Sequence, residues 1–355
     1  MGPRVRGRGA ARVVKFGVGL PTCTAGMMYP VPFATPEDIV AVAVEAEQLG
    51  YWEVAGNDHF STQAYVRRTW PQPPDFFDPL VTYAYCAART SVLRLMTGVL
   101  VLPMRHPVVL AKQLATLDRF SGGRVIVGVG VGAYREEFES CYPDLADVPR
   151  AELVEESILA LRTLLGERRS TFEGRHYRFR DVEMYPKPLQ DPLPIFSAGN
   201  ADGSIRRAAR LGQGWLPAGI GPDRIRAGVE KLRRWALEAG RDPAAISVAP
   251  QLIVCLGPTE ATARATFERS QLYHHLVSLQ TSTLRGVDIE SYVSVNLVGT
   301  PDVVSRRIAD LERADVDHLC GLYFVGNTVG EMMEQVREFA RSVIPAFPER
   351  VVERS

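Results

Sequence analysis

One histidine of the sequence directly follows a segment that is typical of a buried strand. Residues 51–55 form this segment, and Gly56-Asn57-Asp58-His59-Phe60 comes after it. An imidazole titrates near neutral pH, so His59, with Asp58 beside it, could orient a cofactor or exchange protons with a substrate. The same two residues could instead cap a helix or lie at the surface, and their spacing leaves both interpretations open.

Two other segments could bring their backbone close to a ligand. Gly128, Gly130 and Gly132 alternate along an apolar segment, so one face of that strand lacks side chains, and either another backbone or a flat ligand packs there. This spacing is only a weak match to the dinucleotide-binding pattern GxGxxG. Ser197-Ala198-Gly199-Asn200 precedes a predicted helix, whose free N–H groups suit a phosphate; capping by Asn200 and Ser204 is the alternative.

Several other chemistries lack their residues in this sequence. Asp58 has no evident carboxylate partner for glycoside hydrolysis, and no GxSxG motif is present. No His, Asp and Glu cluster recurs at metal-ligand spacing, so no metal is expected. An apolar, glycine-containing site is typical of an enzyme that uses a large flat cofactor for its chemistry.

The composition is that of an ordinary globular protein. The chain has 355 residues, 46% of them hydrophobic, and a formal net charge of zero, with no basic cluster that would indicate a nucleic-acid partner. Five scattered cysteines predict reduced thiols in a cytoplasmic protein. No apolar run reaches the 18 residues of a membrane span. We predict a disordered basic tail over residues 1–12 and a C-terminal tail over 346–355.

The elements between these tails must position the candidate residues. Residues 95–132 have the pattern of a strand, an amphipathic helix and a second strand, which is a βαβ unit. Eight such strands alternate with helices over residues 13–345, which favours a single (β/α)8 TIM barrel over a doubly wound sheet. Insertions are predicted at about 170–190, as a β-hairpin, and at 273–297, as an irregular lid.

A barrel collects ligands at the C-terminal ends of its strands. We therefore expect the loop 61–75 and the insertion 273–297 to cover a small, mostly apolar substrate. His106, at a helix start, is predicted to be structural, and His176, His274 and His275 are predicted to be exposed.

Several phrases of the sequence resemble the bacterial luciferase-like superfamily of flavin- and deazaflavin-dependent oxidoreductases. They are VKFGVGLPT, LMTGVLVLPMRHPVVLAKQLATLDRFSGGRVIVGVGVG, EMYPKPLQ, PIFSAGN, RRAARLGQGWLP and VGTPDVVSRRIADLERADVDHL. Within this superfamily the chain is most similar to the probable coenzyme F420-dependent oxidoreductases. The resemblance implies a (β/α)8 barrel with the flavin or deazaflavin ring inserted at the strand C-termini.

The resemblance also assigns roles to residues. It implies a non-prolyl cis peptide at Gly98-Val99 behind the ring, His59 beside the ring, and a phosphate-binding loop at 197–200. The remaining implied cofactor-binding residues follow the fourth strand; these are Gly130, Gly132 and Tyr134. Some F420-dependent sugar-phosphate dehydrogenases carry a proton-donating Glu after these glycines, where this chain has Ala133 and its nearest carboxylates are Glu136 and Glu137.

These observations support three hypotheses about function. The first is an F420-dependent oxidoreductase that transfers hydride to or from a small organic substrate, with His59 and Asp58 as catalytic residues. The second is an FMNH2-dependent monooxygenase that activates O2, for hydroxylation or Baeyer–Villiger oxidation, and is supplied by a separate reductase. The third is a non-catalytic flavin-binding protein. Many relatives dimerise, so a homodimer is expected.

Overall fold

The computed structural model describes residues 14–281 and 284–348. The predicted tail over residues 1–12 and residues 349–355 of the C-terminal tail lie outside the described residues. Phe347 is part of the packed structure, because its ring lies 5.7 Å from that of Phe16 at an interplanar angle of 65°.

The described chain alternates strands and helices along most of its length. The strands are β1 (Lys15–Leu20), β2 (Glu53–Gly56), β3 (Arg94–Thr97), β4 (Leu100–Val101), β5 (Val125–Gly130), β6 (Ser170–Glu173), β7 (Arg178–Val182), β8 (Ile195–Ala198), β9 (Gly214–Leu216), β10 (Ser247–Val248), β11 (Ile253–Leu256), β12 (Leu297–Gly299) and β13 (His318–Phe324). The helices are α1 (Pro36–Gln48), α2 (Ala64–Thr69), α3 (Pro79–Arg89), α4 (Pro107–Ser121), α5 (Arg135–Cys141), α6 (Arg150–Gly166), α7 (Asp202–Leu211), α8 (Pro222–Glu238), α9 (Glu260–Glu268), α10 (Gln271–Ser278), α11 (Tyr292–Val295), α12 (Pro301–Arg313) and α13 (Val329–Ser342). None of these helices is long and apolar enough to cross a bilayer.

All the strands except β6 and β7 form one parallel sheet that curls into a barrel. Their order is β10-β9-β8-β5-β3-β2-β1-β13-β11-β12, and β4 also pairs with β5. The strands of this sheet are almost fully buried, because helices cover the outside and side chains fill the interior, as in other barrels of this class. The predicted (β/α)8 barrel is therefore confirmed.

The seventh strand of the plan differs from the prediction. The sequence pattern predicts one strand over residues 246–256, whereas the structure has β10 and β11, separated by residues that include Pro250. Pro250 has no N–H to donate to a neighbouring strand, so the segment pairs with β9 before this residue and with β13 after it. The barrel still closes through this segment, because Ala249 N donates to Trp215 O on one side and Cys320 N donates to Pro250 O on the other, at 2.9 and 3.0 Å.

The third strand is also divided. The predicted strand 95–102 consists of β3 and β4, which flank Gly98 and Val99. The helix that follows starts as predicted, with Pro107 at its first turn and the His106 side chain accepting a hydrogen bond from Val108 N at 3.3 Å. The predicted structural role of His106 agrees with this cap.

Only one of the two predicted insertions has the expected form. Strands β6 and β7 pair antiparallel, which confirms the hairpin within 170–190. The insertion 273–297 is not irregular, since it contains most of α10 and all of α11. The predicted loop 61–75 contains the short helix α2, and the segment between β5 and α6 contains the short helix α5. Helices this short show too few turns for their periodicity to be read.

Candidate functional site

A cavity that is partly open to solvent lies at the C-terminal ends of the barrel strands. Most of the residues predicted to form the site line it. These are Asp58, His59, Gly98, Val99, Gly130, Gly132, Tyr134, Ala198 and Gly199. Ser197 and Asn200 are not among the lining residues. The folded chain therefore brings together residues from four strand ends that are up to 141 positions apart in sequence.

The floor of the cavity is formed by two adjacent strands. The Gly98–Val99 peptide bond is cis, as the family resemblance implies. A Cβ atom on Gly130 would lie 3.0 Å from Val99 Cγ2, and one on Gly128 would lie only 2.0 Å from Thr97 O. The glycine face of β5 is thus filled by the neighbouring backbone at Gly128, while Gly130 lets the Val99 side chain pack at the cavity floor.

His59 is held by a carboxylate. Its Nδ1 lies 2.9 Å from Glu137 Oε2, and its side chain is 10% exposed. Its other ring nitrogen, Nε2, makes no hydrogen bond to any part of the chain that the structure describes. A carboxylate at Nδ1 favours the proton on that nitrogen when the ring is neutral, and it stabilises the ring when both nitrogens are protonated. His59 can therefore accept or donate a proton through Nε2 on the cavity side.

Glu137 is fixed in its charged form by several donors. Phe60 N and Ser61 N donate to its Oε1 at 2.5 and 3.2 Å, and Gln63 Nε2 donates to its Oε2 at 3.2 Å. Burial alone would raise the pKa of Glu137, but the hydrogen bond and charge of His59 and these backbone amides hold that pKa below its ordinary value. The pair is thus a buried carboxylate that supports an imidazole.

Asp58 has a different environment from His59. Arg105 donates to both of its carboxylate oxygens, at 2.8 and 2.7 Å, and Val101 N donates to Oδ2 at 3.0 Å. The same guanidinium also binds Asp78 at 2.7 Å, and these two carboxylates, opposing its burial, raise the pKa of Arg105. Such paired charges are geometrically rigid. Asp58 therefore fixes the segment that carries His59 against the segment that carries Val99.

A third group of polar side chains lies between His59 and the floor. The Tyr323 hydroxyl donates to Asn57 Oδ1, and Gln251 Nε2 lies 3.4 Å from the Tyr323 oxygen and 3.5 Å from Gly98 O. All three side chains belong to residues that line the cavity. They place hydrogen-bonding groups beside an otherwise apolar floor, which is the usual make-up of a cofactor site.

On another wall, Tyr134 is part of a hydroxyl cluster. Its hydroxyl lies 3.1 Å from Tyr65 Oη, 3.3 Å from Ser278 Oγ and 3.4 Å from His275 Nδ1. His275 is 6% exposed, so the prediction that it is exposed is wrong, whereas His274 beside it is exposed. Burial, together with the nearby His59, lowers the pKa of His275 to about 3.

The segment 197–200 provides backbone groups rather than side chains. Ser197 is 1% exposed, with an Oγ that makes no hydrogen bond within the described residues. Asn200 binds the backbone of Ala218 through both atoms of its amide, at 2.9 and 3.0 Å. The N-cap of α7 is Ala201, which has no side chain that could cap the helix. The first backbone N–H groups of α7, next to the cavity residue Gly199, are thus available to bind an anion.

Sequence reasoning missed several residues that line or support this cavity, namely Asn57, Glu137, Gln251 and His275. For His275 a signal existed, because Leu272, His275, Leu276 and Leu279 recur at helical spacing and all line the cavity. For Glu137 the only signal was its nearness to the strand-four glycines.

The residues present fit a flavin or deazaflavin. A small-residue floor, flanking amides and one supported imidazole could hold a planar ring, and the α7 N-terminus could hold a phosphate. Within the described ranges, no three His, Cys, Asp or Glu side chains converge to bind a metal ion.

Comparison with known proteins finds relatives that use a flavin or a deazaflavin. The chain is 29% identical over 298 residues to an FMNH2-dependent dimethylsulfone monooxygenase of Pseudomonas putida, a match that covers 77% of this chain and 79% of that protein. It is 32% identical over 208 residues to an F420-dependent glucose-6-phosphate dehydrogenase of Kineococcus radiotolerans, covering 58% and 59%. The crystal structure of monooxygenase RslO1 from Streptomyces bottropensis superposes with a TM-score of 0.75 at 25% identity, covering 94% of this chain and all of that one.

The relatives are thus enzymes of two cofactor types on one fold. A model of the luciferase-like monooxygenase family matches residues 14–318 of this chain. That span contains the cavity floor, the His59–Glu137 pair and the α7 N-terminus. The chain is therefore a member of the luciferase-like monooxygenase family, whose enzymes include F420-dependent and FMNH2-dependent relatives.

Proposed function

We propose that the protein is an F420-dependent oxidoreductase that transfers hydride between the deazaflavin and a small organic substrate. The observation that carries this proposal is the His59–Glu137 pair on the cavity wall, at 2.9 Å. Reduction of a carbonyl needs a hydride at carbon and a proton at oxygen. The cofactor, when bound, supplies or accepts the hydride, and the chain must handle the proton.

His59 is suited to that proton transfer. Its Nε2 would donate a proton to the carbonyl oxygen during reduction, or accept the hydroxyl proton during oxidation of an alcohol. Glu137 would stabilise the imidazolium form, since its carboxylate is already ionised at Nδ1. Asp58, bound to Arg105, would act as a positioning residue that keeps His59 at a fixed distance from the Val99 floor.

Other residues would hold the cofactor. Val99 would pack against one face of the ring, where Gly130 leaves room for its side chain. Gln251 and Asn57 would offer hydrogen bonds at its edge, and the N–H groups at the start of α7 would meet the phosphate. Each of these roles uses a group that lines the cavity or lies directly beside it.

A second candidate is an FMNH2-dependent monooxygenase that receives reduced flavin from a separate reductase. The observation that favours it is the length of the match to the dimethylsulfone monooxygenase, 298 residues against 208 for the glucose-6-phosphate dehydrogenase. The same cavity would serve both reactions, because a fold alone does not determine chemistry. Deazaflavin reacts poorly with O2, so oxygen uptake separates the two candidates.

The test is a cofactor titration of the purified protein with F420 and with FMN, each oxidised and reduced. We expect F420 to bind at least tenfold tighter than FMN, with hydride transfer and without oxygen uptake. Tighter binding of reduced FMN, with oxygen uptake, would contradict the F420 proposal and support the monooxygenase. Glu137→Gln, which keeps the shape of the site, should bind the cofactor within threefold of the wild type while hydride transfer slows.

We further expect a homodimer in the cytoplasm. Light scattering of the purified protein tests the oligomeric state, and a mass near 39.2 kDa, that of one chain, would contradict the dimer.

A further inference from the structure

Two imidazoles from different parts of the chain line the cavity. His59 follows β2, and His275 lies on α10. Each has its Nδ1 engaged by the protein, with Glu137 Oε2 at 2.9 Å and Tyr134 Oη at 3.4 Å respectively. Neither Nε2 has a hydrogen-bond partner among the residues that the structure covers. The two rings therefore each have one nitrogen left for a ligand.

The side chains that contact Nδ1 of the two rings differ in charge. A carboxylate supports His59, whereas a phenol supports His275, and burial keeps the His275 ring neutral by lowering its pKa to about 3. A neutral imidazole has one donor and one acceptor nitrogen, and Tyr134 occupies one of them. His275 can thus form one hydrogen bond to a neutral polar group, but it cannot balance a negative charge.

A cluster of hydroxyl groups fixes the position of His275. Tyr134 Oη lies 3.1 Å from Tyr65 Oη and 3.3 Å from Ser278 Oγ, and the Ser278 hydroxyl donates to His275 O at 2.7 Å. These contacts join α2, the loop before α5 and α10. A side chain held from three elements is suited to recognition, because little rotamer freedom is lost when a ligand binds.

The rest of this wall is apolar and uncharged. Leu272, Leu276, Leu279, Leu284 and Met28 line the cavity around His275. No lysine or arginine is among the lining residues that the structure describes. An anionic substrate would lose its hydration here without gaining a counter-charge, which is strongly unfavourable.

We propose that the substrate is a neutral, largely apolar molecule with a second oxygen function, and that His275, held by Tyr134, binds this second oxygen. The reacting carbonyl or hydroxyl would lie at His59, so the reaction itself rests on the proposed function. The second oxygen is recognised by His275 whichever cofactor is used. His275 is thus a specificity-determining residue, on a different wall from the residue that handles the proton.

The test is calorimetric binding to the protein loaded with F420 and, separately, with FMN. The probes are cyclohexanone, 4-hydroxycyclohexanone and 4-oxocyclohexanecarboxylate, which share one ring and differ in the second function. We expect the hydroxyketone to bind at least tenfold tighter than cyclohexanone, and the carboxylate at least tenfold weaker than cyclohexanone. His275→Phe should reduce the tenfold preference for the hydroxyketone to less than threefold.

Two further variants complete the design. His274→Phe changes the exposed neighbour on the same helix and should leave the preference unchanged. Tyr134→Phe removes only the hydroxyl that contacts His275 and should likewise reduce the preference for the hydroxyketone. Cofactor affinity also reports whether His275→Phe is correctly folded.

Three results would overturn the inference, namely an unchanged preference in both His275→Phe and Tyr134→Phe, binding of the carboxylate as tight as that of the hydroxyketone, or no binding of either neutral probe. Turnover is measured separately from binding. The expected binding preference without hydride transfer would contradict the proposed function alone. Hydride transfer without any preference would contradict this inference alone.

Discussion

A glutamate–histidine pair at the cavity and another inside the barrel lie in different environments. Glu137 and His59 lie at the cavity, 2.9 Å apart. Glu53 and His318 lie inside the barrel at the start of β2 and β13, with a separation of 3.8 Å between Glu53 Oε2 and His318 Nε2, and they are 0% and 3% exposed. Neither of these two atoms makes a hydrogen bond within the described residues.

The two pairs show that the donors around a carboxylate decide its charge. Glu137 accepts two backbone N–H groups, a side-chain amide and the imidazole, and its pKa is lowered. For Glu53 the structure gives only Gly321 N as a backbone donor, at 3.0 Å, and burial raises the pKa of Glu53 to about 8 and lowers that of His318 to about 3. The cavity carboxylate is therefore ionised, whereas burial keeps the interior glutamate and histidine neutral.

Replacement of His59 should have the largest effect. We expect His59→Gln to slow hydride transfer about 10²- to 10⁴-fold, because the proton donor is lost, while F420 affinity changes less than fivefold. Single-turnover rates with reduced F420 measure this. His274→Gln, an exposed histidine, is the control, and a loss of less than threefold in His59→Gln would contradict the proton-transfer role.

Neutralising Glu137 should have the next largest effect. Glu137→Gln keeps an acceptor for Phe60 N and Ser61 N but removes the charge that stabilises the imidazolium. We expect hydride transfer to slow about 10- to 100-fold. Glu136→Gln, one position away, should leave the rate unchanged. A loss of less than threefold in Glu137→Gln would show that the carboxylate does not support the imidazole.

In the interior pair, the corresponding substitution, Glu53→Gln, should stabilise the fold and leave the reaction rate nearly unchanged. At pH 8 the wild-type fold keeps Glu53 about half protonated, whereas the unfolded chain has it ionised, so burial of this carboxyl disfavours folding. We expect Glu53→Gln to raise the free energy of unfolding by about 1 to 3 kcal/mol at pH 8, with activity within threefold of the wild type. Urea unfolding measures this free energy, and Glu183→Gln, at an exposed position, is the control. A lower free energy of unfolding in Glu53→Gln than in the wild type would contradict a neutral Glu53.

The smallest effect is the pH dependence of wild-type stability. Since the folded pKa of Glu53 is raised from 4.5 to about 8, its contribution is complete below pH 4.5 and is lost as pH rises to 8. His318 changes the other way, since its pKa is lowered from 6.5 to about 3 and its contribution is lost as pH falls through that range. The stability difference between Glu53→Gln and wild type should therefore grow from pH 4.5 to 8, by at most about 1.4 kcal/mol per pH unit. If the difference in free energy of unfolding did not change with pH, the raised pKa of Glu53 would be contradicted.

The sequence alone predicts the barrel well, because strand burial and helix periodicity are local signals. The strand His318–Phe324 matches its predicted bounds. The cis peptide that interrupts the third strand at Gly98–Val99 agrees with the family resemblance. The division at Pro250 was not predicted, since it depends on which strand is the neighbour at each position. The two parts of the predicted seventh strand, for example, pair with strands that lie at opposite ends of the sheet order.

The site was predictable only where residues directly follow strands. His59, Asp58 and the glycines were identified for this reason, and so was the family. Glu137 was not, because a seven-residue helix brings it to His59 from 78 positions away. His275 was predicted to be exposed because its insertion lacked a recognised helix, although its neighbours carry a helical apolar stripe.

The crowding at Gly128 has a consequence for protein engineering. Even an alanine there would place its Cβ 2.0 Å from Thr97 O, whereas at Gly130 the nearest atom, the terminal Cγ2 of Val99, lies 3.0 Å away. A mutant library aimed at new substrates should therefore hold residue 128 constant and vary residue 130 only among small side chains. On α10 the cavity is lined by side chains instead of backbone, but Leu272 and Leu276 are buried, so variation there should be confined to apolar side chains of similar volume.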